Sequence, residues 1–405
     1  MRVLFSTYGS RGSVEPIVGL AVRLRELGAQ VRVCAPPDEE FAELLARAGV
    51  ESVPAGDPVR PLVTSVTPGS AAGLARRVAD LMAAQFETVA AAAEGCDVLV
   101  ATGPLPATAG ARSVADKLGV HYVHASHQQV LLPSPHRRPP ARRGQPLPDG
   151  AIDNRALWAS DAEIAHSMFG AELNTQRAAF GLPPVDSVRD YAFTERPWLA
   201  SDPVLDPWLT PADVAAVQTG AWLRPDERPL PAELVDFLEA GAPPVYVGFG
   251  SMPAPAGFAR AAIEAVRARG RRVVVSRGWS ELDLIDDRDD CFLVGEVNQQ
   301  ALFARVAAVV HHGSAGTTTT ATRAGVPQVV VPRGADQPYW AGRVAGLAIG
   351  AAHDDAADPT VDSLSAALGT ALTPAARARA TAVAGTIRTD GTTVAARLLF
   401  DSVGR

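Results

Sequence analysis

The stretch that most constrains the fold lies between two apolar runs, at residues 306–310 and 326–331. The first run leads into a turn that contains Gly313 and Gly316, and four consecutive threonines follow at residues 317–320. Short apolar runs predict buried strands, and glycines between them predict a tight turn. The order strand, turn, helix, strand is typical of a parallel sheet in an α/β protein.

This turn has the composition of an anion site. The first N–H groups of a helix have no partner within the helix, and glycine lets a ligand approach them. The stretch lacks the lysine of a P-loop and the G-x-G-x-x-G spacing of a dinucleotide fold. An ordinary strand-to-helix turn capped by threonine is the alternative. Asp336 and Gln337 favour a ligand site, because they follow the next strand at the edge where open α/β sheets bind ligands.

The same alternation of strands and helices occurs in both halves of the chain. Apolar runs predict strands at residues 3–7, 30–35, 98–101 and 122–125, and again at 245–249, 272–276 and 292–297. A chain of 405 residues is long enough for two domains. We predict two α/β domains with parallel, doubly wound sheets, at residues 1–213 and 214–388, and a C-terminal segment at 389–405 with a helix over 391–403.

Two helical patterns, at residues 74–93 and 161–180, flank an irregular segment. Residues 131–153 are rich in proline and arginine, including Arg142 and Arg143, and show no periodicity. An irregular segment of this length is either disordered or functional. The sequence leaves open whether it is a solvated linker or a flap over a bound ligand.

Composition excludes several classes of protein. Hydrophobic residues make up 47% and charged residues 20%, which is typical of a globular protein, and the net charge of −7 argues against nucleic acid as a partner. The three cysteines are far apart, so neither a disulfide framework nor a cysteine metal site is predicted. No apolar run is long enough for a signal peptide or a membrane span, and we expect a cytoplasmic protein.

A second glycine-rich turn, Gly9-Ser10-Arg11-Gly12, follows the first predicted strand. Its position at a helix start also favours an anion. The alternative is a plain turn in which Ser13 caps the helix.

Several of these motifs carry a resemblance. His312, the glycine-rich turn after it, Gly325-Val326-Pro327 and Asp336-Gln337 resemble the sugar-nucleotide signature of family 1 glycosyltransferases in sequence and spacing. The first turn with Glu15-Pro16 is similar to the bacterial branch that glycosylates vancomycin-type glycopeptide antibiotics, and matching segments extend over nearly the whole chain. The resemblance implies the GT-B architecture: two Rossmann-like domains facing across a cleft, with the C-terminal helix packed on the first domain.

The resemblance also implies where the nucleotide-sugar donor binds. The diphosphate would be held in the second domain by His312 and Ser251, and approached from the first domain by Ser10 and Arg11. The nucleobase would lie between turns that contain Arg277, Trp279 and Val297, and the sugar would contact Asp336 and Gln337. The helix-start residues in this prediction are Gly313, Ser314, Ala315, Gly316 and Thr317. His311 should point to the opposite face of its strand and pack in the core.

Two further expectations concern the donor. A buried, unpaired aspartate would be destabilising, which favours a sugar with several hydroxyls, such as glucose or N-acetylglucosamine, over a 2,6-dideoxy amino sugar. No metal is expected, because the sequence lacks an Asp-x-Asp cluster and because His312 and the helix starts can neutralise the diphosphate.

Ser13 departs from the pattern of the family. The relatives commonly have an aspartate at this position, which acts as the general base for the acceptor hydroxyl, and a serine hydroxyl does not ionise near neutral pH. Such a base contributes about 10² to 10⁴ in rate. His124 and His127, near the end of a first-domain strand, are candidates to replace it. We predict His127 as the stronger candidate, beside Ser13 and His312 in the catalytic set.

The sequence therefore predicts an inverting glycosyltransferase that moves a hexose from a UDP- or TDP-linked sugar to a glycopeptide aglycone. The acceptor oxygen would be the alcohol of β-hydroxytyrosine, which we favour, or the phenol of hydroxyphenylglycine. We expect a monomer that needs no cofactor besides the nucleotide sugar. The alternatives are a nucleotide-sugar epimerase, a glycosyltransferase of another natural product such as a macrolide or sterol, and a non-catalytic nucleotide-sugar-binding protein.

Overall fold

The computed structural model describes residues 1–65, 71–142, 147, 150, 153–354 and 357–404. All strand pairs among these residues are parallel. The chain divides into two units. The first consists of Met1–Arg224 with Arg388–Arg405, and the second of Pro225–Ile387. This division lies later in the chain than the predicted boundary at residue 213, because residues 217 and 218 still form a strand of the first sheet.

Within the described residues, the first unit contains a seven-stranded sheet with the order β3-β2-β1-β4-β5-β6-β7. The order reverses between β1 and β4, which is the arrangement of a doubly wound Rossmann-like sheet. The central strands are fully buried apolar runs, as expected for a parallel sheet covered on both faces. The strands are β1 Arg2–Thr7, β2 Gln30–Ala35, β3 Glu51–Pro54, β4 Val98–Thr102, β5 His121–Ser126, β6 Trp198–Leu199 and β7 Val217–Gln218.

The helices of the first unit follow the predicted alternation with differences in detail. The pattern predicted at residues 74–93 is two α-helices joined by a π-helical segment, Gln85–Val89, and the helix predicted at 161–180 begins earlier, at Asn154. The helices are α1 Arg11–Glu26, α2 Glu39–Arg47, α3 Arg60–Thr64, α4 Ala71–Ala84, α5 Ala90–Ala93, α6 Leu105–Leu118, α7 Asn154–Ala179 and α8 Val188–Phe193, with a 3₁₀ turn at Gln129–Leu131.

The second unit repeats the architecture with a six-stranded sheet in its described part. Its order, β10-β9-β8-β11-β12-β13, again reverses beside the first strand, here between β8 and β11. The strands are β8 Val245–Gly248, β9 Val273–Ser276, β10 Cys291–Val294, β11 Ala308–His311, β12 Gln328–Val330 and β13 Gly350–Ala352. The helices are α9 Ala232–Glu239, α10 Phe258–Ala268, α11 Gln299–Phe303, α12 Ala315–Arg323, α13 Gln337–Gly346, α14 Val361–Ala371 and α15 Pro374–Ala384.

The C-terminal helix, α16 Gly391–Ser402, belongs to the first unit and packs on α1. A buried carboxylate fixes the point where the chain returns: Asp202 is fully buried, its Oδ1 accepts the Val204 N–H, and its Oδ2 accepts the Arg388 N–H at 2.8 Å. At the same place the backbones of Gly220 and Gly391 approach so closely that a Cβ atom on Gly391 would lie 2.6 Å from the Gly220 carbonyl carbon.

The irregular segment predicted at residues 131–153 contains no helix or longer strand in its described part. Within that part, Arg142 forms a bidentate ion pair with the buried Asp161 of α7. Arg143, which was included in the prediction, lies outside the described residues. No described helix is both long and apolar enough to cross a membrane.

Candidate active site

The second unit brings two of the predicted donor-binding residues together where its strand order reverses. β8 and β11 are neighbours, with Gly248 opposite His311 in the register. The chain therefore leaves the same edge of the sheet at Ser251, shortly after β8, and at His312, directly after β11. This edge is the position at which doubly wound sheets bind ligands.

His312 is a buried, neutral imidazole. β11 ends at His311, so His312 is the first residue of the turn. The residue is 4% exposed, its ring centroid lies 5.7 Å from that of Phe249, and its Nδ1 has no hydrogen-bond partner among the described residues. Burial, reinforced by the nearby His311, lowers the pKa of His312 to about 3. The ring is therefore uncharged at neutral pH and carries one N–H donor.

The helix start after His312 has the open donors that the sequence predicts. Ser314 is the N-cap of α12, and its Oγ accepts the Thr317 N–H at 3.3 Å. The N–H groups of Ala315 and Gly316 have no acceptor among the described residues. These N–H groups point away from the helix body, at the positive end of the helix dipole. Such a position favours binding of a diphosphate, which is negatively charged.

The two glycines of this turn have different roles. A Cβ atom on Gly316 would meet nothing within 4 Å, so its absence leaves space for a ligand, as predicted. Gly313 has a φ of 97°, and a Cβ atom there would lie 2.7 Å from Val330 Cγ1. Gly313 is therefore needed for the backbone conformation and for packing on the next strand, rather than for access by a ligand.

His311 is packed in the core, as strand alternation predicts. It is fully buried, its Nε2 lies 2.9 Å from Gln328 Oε1, and its Nδ1 accepts the Gly313 N–H at 3.1 Å. Burial lowers the pKa of His311 to about 4, against the opposing effect of the hydrogen bond with Gln328.

The turns after β8 and β9 contact each other. The Trp279 N–H donates to the Gly250 carbonyl at 2.8 Å, and Trp279 is buried, while Arg277 is exposed. Val297 lies beyond the end of β10, and its half-buried side chain packs on the core between β10 and α11. Arg277, Trp279 and Ser251 thus occupy neighbouring turns at one edge of the sheet.

Asp336 and Gln337 lie at the start of α13, but neither is the unpaired buried group that the sequence suggested. Asp336 is half-buried, and its Oδ2 accepts the indole N–H of Trp340 at 2.9 Å. Gln337 is buried, and its Oε1 accepts the Arg333 N–H at 2.7 Å. The argument for a ligand from an uncompensated aspartate was therefore wrong, since a tryptophan four residues later satisfies one oxygen.

The glycine-rich turn of the first unit is built differently. α1 begins at Arg11 with Ser10 as N-cap, so the alternative in which Ser13 caps the helix was wrong. The Ser10 side chain makes no capping hydrogen bond, and Arg11 Nε is paired with Glu15 at 2.9 Å. Thr7 Oγ1, at the end of β1, donates to the Ser13 carbonyl at 3.2 Å.

Of the two candidate bases, the structure places His127 beside Ser13. Its Nε2 lies 3.4 Å from Thr102 Oγ1, at the end of β4, and Thr102 is opposite Thr7 in the sheet. Burial lowers the pKa of His127 to about 4, and the adjacent Ser13 backbone opposes this shift. His124 instead stacks on Phe193, with ring centroids 4.6 Å apart, which is a packing role.

Two residues at these turns were missed in the sequence. Thr102 ends a predicted strand, and its position beside the first strand becomes evident only from the sheet order. Gln328 is a polar residue inside the apolar run 326–331, and that interruption was a usable signal. In the part of the chain that is described, no three histidine, cysteine, aspartate or glutamate side chains are grouped so that they could hold a metal ion.

Comparison with known proteins identifies the family of the chain. Residues 273–394 match the family model of the erythromycin biosynthesis protein CIII-like C-terminal domain. The vancomycin aglycone glucosyltransferase of Amycolatopsis orientalis is 56% identical over 405 residues, covering 100% of this chain and 98% of its own. The dTDP-epi-vancosaminyltransferase of the same organism is 53% identical, with the same coverage of both chains.

Solved structures agree on the fold. The glycotransferase of kitacinnamycin superposes with a TM-score of 0.73 at 22% identity, covering 99% of this chain and 98% of its own. The glycosyltransferase VinC in complex with dTDP gives a TM-score of 0.67 at 21% identity, with 95% of each chain covered. The predicted GT-B fold class is confirmed. The protein is a glycosyltransferase, and it belongs to family 1, in the bacterial group that contains the glycopeptide glycosyltransferases.

Proposed function

We propose that this glycosyltransferase transfers a hexose, with inversion at the anomeric carbon, from a UDP- or TDP-linked donor to a hydroxyl of a vancomycin-type aglycone. The second unit binds the donor and the first unit binds the acceptor. The identity of 56% to a vancomycin aglycone glucosyltransferase supports the acceptor class. We further propose that the protein acts as a cytoplasmic monomer without a metal ion.

The observation that carries the donor assignment is a neutral imidazole beside open helix-start donors. His312 has an unpartnered, buried Nδ1, and the N–H groups of Ala315 and Gly316 lie in the turn that follows. When the bond between sugar and phosphate breaks, negative charge grows on the diphosphate oxygen. Fixed donors in a site shielded from water stabilise that charge more than water does, because they need no reorganisation.

The sugar is proposed to contact Asp336 and Gln337 at the start of α13. The Gln337 amide nitrogen has no acceptor among the described residues, so it remains able to donate to a sugar hydroxyl. Glucose and N-acetylglucosamine offer more hydroxyl partners than a 2,6-dideoxy amino sugar. The dTDP-epi-vancosaminyltransferase is nevertheless 53% identical to this chain, so an amino-sugar donor belongs in the test.

His127 is proposed to accept the proton of the acceptor hydroxyl, since Ser13 does not ionise near neutral pH. With its pKa lowered to about 4, His127 is neutral at pH 7 and able to accept a proton, although as a weak base. A weak base favours an acidic acceptor. The phenol of hydroxyphenylglycine is more acidic than the alcohol of β-hydroxytyrosine and needs less assistance.

A transfer assay with mass-spectrometric detection tests the proposal. Vancomycin and teicoplanin aglycones are each incubated with UDP-glucose, UDP-N-acetylglucosamine and a TDP-linked amino sugar. The mass of one hexose on an aglycone is the expected result, and proton NMR of the product then gives the configuration of the new linkage and the oxygen used.

Other outcomes separate the alternatives. Isomerisation of the donor without aglycone would establish an epimerase. Nucleotide binding without transfer to any aglycone would establish a binding protein, and transfer only to macrolides or sterols would move the chain to another class of acceptor.

A further inference from the structure

A chain of buried hydrogen bonds runs behind the donor turn. It links Gly313 to His311, His311 to Gln328, and Gln328 to Thr322 of α12, whose hydroxyl donates to the Thr318 carbonyl at 2.8 Å. Gln328 Nε2 lies 2.9 Å from Thr322 Oγ1. His311, Gln328 and both threonines are fully buried, so water does not compete for these bonds.

The two ends of this chain fix the direction of every bond in it. At one end, the Gly313 N–H can only donate, so His311 Nδ1 must be an acceptor without a proton. At the other end, the Thr318 carbonyl can only accept, so the Thr322 hydroxyl donates to it and accepts from the Gln328 amide nitrogen. The Gln328 oxygen therefore faces His311 and accepts from Nε2–H. Both ends require the same state of His311: neutral, with its proton on Nε2.

We propose that Gln328 is a positioning residue of the donor site, which holds His311 in the Nε2–H tautomer so that Nδ1 fixes the Gly313 N–H. Gly313 is the link between His312 and the N-cap Ser314. Holding its N–H therefore sets the direction of the His312 ring and of the Ala315 and Gly316 N–H groups. This inference rests on the proposed binding of the donor diphosphate by that turn.

Energetic reasoning supports a role in positioning. Gln328 is the first residue of β12 and is fully buried. A buried polar side chain is destabilising unless its groups are paired, and an apolar residue would fill the same place in the core without that requirement. Gln328 meets the requirement with both ends of its amide. The low pKa of His311, about 4, agrees with a ring that stays neutral throughout the working pH range.

Gln328→Leu tests the proposal, with Gln299→Leu as the matched control. Gln299 is also a glutamine of the second unit with one side-chain hydrogen bond, to the Tyr246 hydroxyl at 3.2 Å, and it is not part of this chain of bonds. Titration calorimetry with UDP and with dTDP should show about tenfold weaker binding in Gln328→Leu and unchanged binding in the control. Nitrogen-15 NMR of labelled histidine should show the Nε2–H tautomer of His311 in the native protein and the control, and a mixture in Gln328→Leu.

The tautomer of His311 and the hydrogen exchange of the Gly313 N–H test this inference separately from the proposed function. Hydrogen exchange of the Gly313 N–H should accelerate in Gln328→Leu, and this readout needs no substrate. If Gln328→Leu does not fold, Gln328→Glu keeps the shape and should still lose Gly313 protection, because a carboxylate beside His311 favours a second proton on the ring. An unchanged tautomer and unchanged Gly313 exchange in the folded variant would overturn the inference. Absence of nucleotide binding by the native protein, with the tautomer as expected, would instead overturn the donor assignment.

Discussion

The two units share one strand order and place a glycine-rich turn where that order reverses, but they support the turn in different ways. In the second unit, Ser314 caps the helix and a buried chain of hydrogen bonds holds Gly313 from behind. In the first unit, Ser10 makes no capping bond, and Thr7 and His127 are the polar groups beside Ser13. The topology thus determines where a turn lies, and the side chains behind it determine how firmly it is held.

The difference corresponds to the ligand proposed for each unit. A diphosphate has the same shape and charge in every nucleotide sugar, so donors fixed in position suit it. Acceptor hydroxyls differ between alcohol and phenol, and a less constrained turn can serve either. The predictions below test whether the two turns differ in this way.

The largest effect is expected from His312→Ala in the second unit. Removing a donor aimed at developing charge typically lowers kcat by about 10² to 10³. Steady-state kinetics with the donor and aglycone found in the transfer assay measure the change. His353→Gln is the matched control, because His353 is another buried histidine of this unit, whose Nε2 lies against Ser363 at 2.9 Å. Equal kcat values for the two variants would remove His312 from the reaction.

A smaller effect is expected at the turn of the first unit, and it has the opposite sign. Ser13→Asp should raise kcat by about 10- to 100-fold, because it restores the carboxylate that, by the family resemblance, commonly acts as the general base at this position. His127→Gln should lower kcat by about tenfold in the native protein and have little effect in the Ser13→Asp background. The same loss in both backgrounds would mean that His127 acts independently of that position.

The smallest effect concerns the two N-caps. Ser314→Ala should destabilise the second unit by about 1 kcal/mol, since it removes a capping hydrogen bond. Ser10→Ala should change the stability of the first unit by less than about 0.5 kcal/mol, because no such bond is present. Hydrogen exchange in urea, followed by mass spectrometry of peptides from each unit, measures both values. A larger loss for Ser10→Ala would show that the first turn is the more strongly capped.

The sequence predicts the fold and the position of the turns well, because parallel strands buried on both faces are recognisable as apolar runs. The apolar runs do not show which residues of neighbouring strands lie opposite each other. Thr102 lies opposite Thr7, and His311 lies opposite Gly248, because of which strands are neighbours in each sheet.

Side-chain partners are harder to predict than elements. The sequence suggested that Asp336 was uncompensated, and the structure pairs it with Trp340, one helical turn later. Asp336 and Trp340 are four residues apart, a spacing that allows side-chain contact on a helix. The contact can be inferred only when the helix is known to begin at Gln337. Polar networks such as the one through Gln328 join residues distant in sequence, and a linear pattern does not show them.

The return of the chain to the first unit has a consequence for folding during synthesis. The Asp202 carboxylate accepts a hydrogen bond from the Arg388 N–H, which is 186 residues later in the chain. The first unit therefore begins to be synthesised first but is completed last. The second unit is continuous in sequence and can reach its native state as soon as it has left the ribosome. Until α16 arrives, the face of α1 that it covers remains open, and this interval is when a chaperone or an aggregating partner has access to the protein.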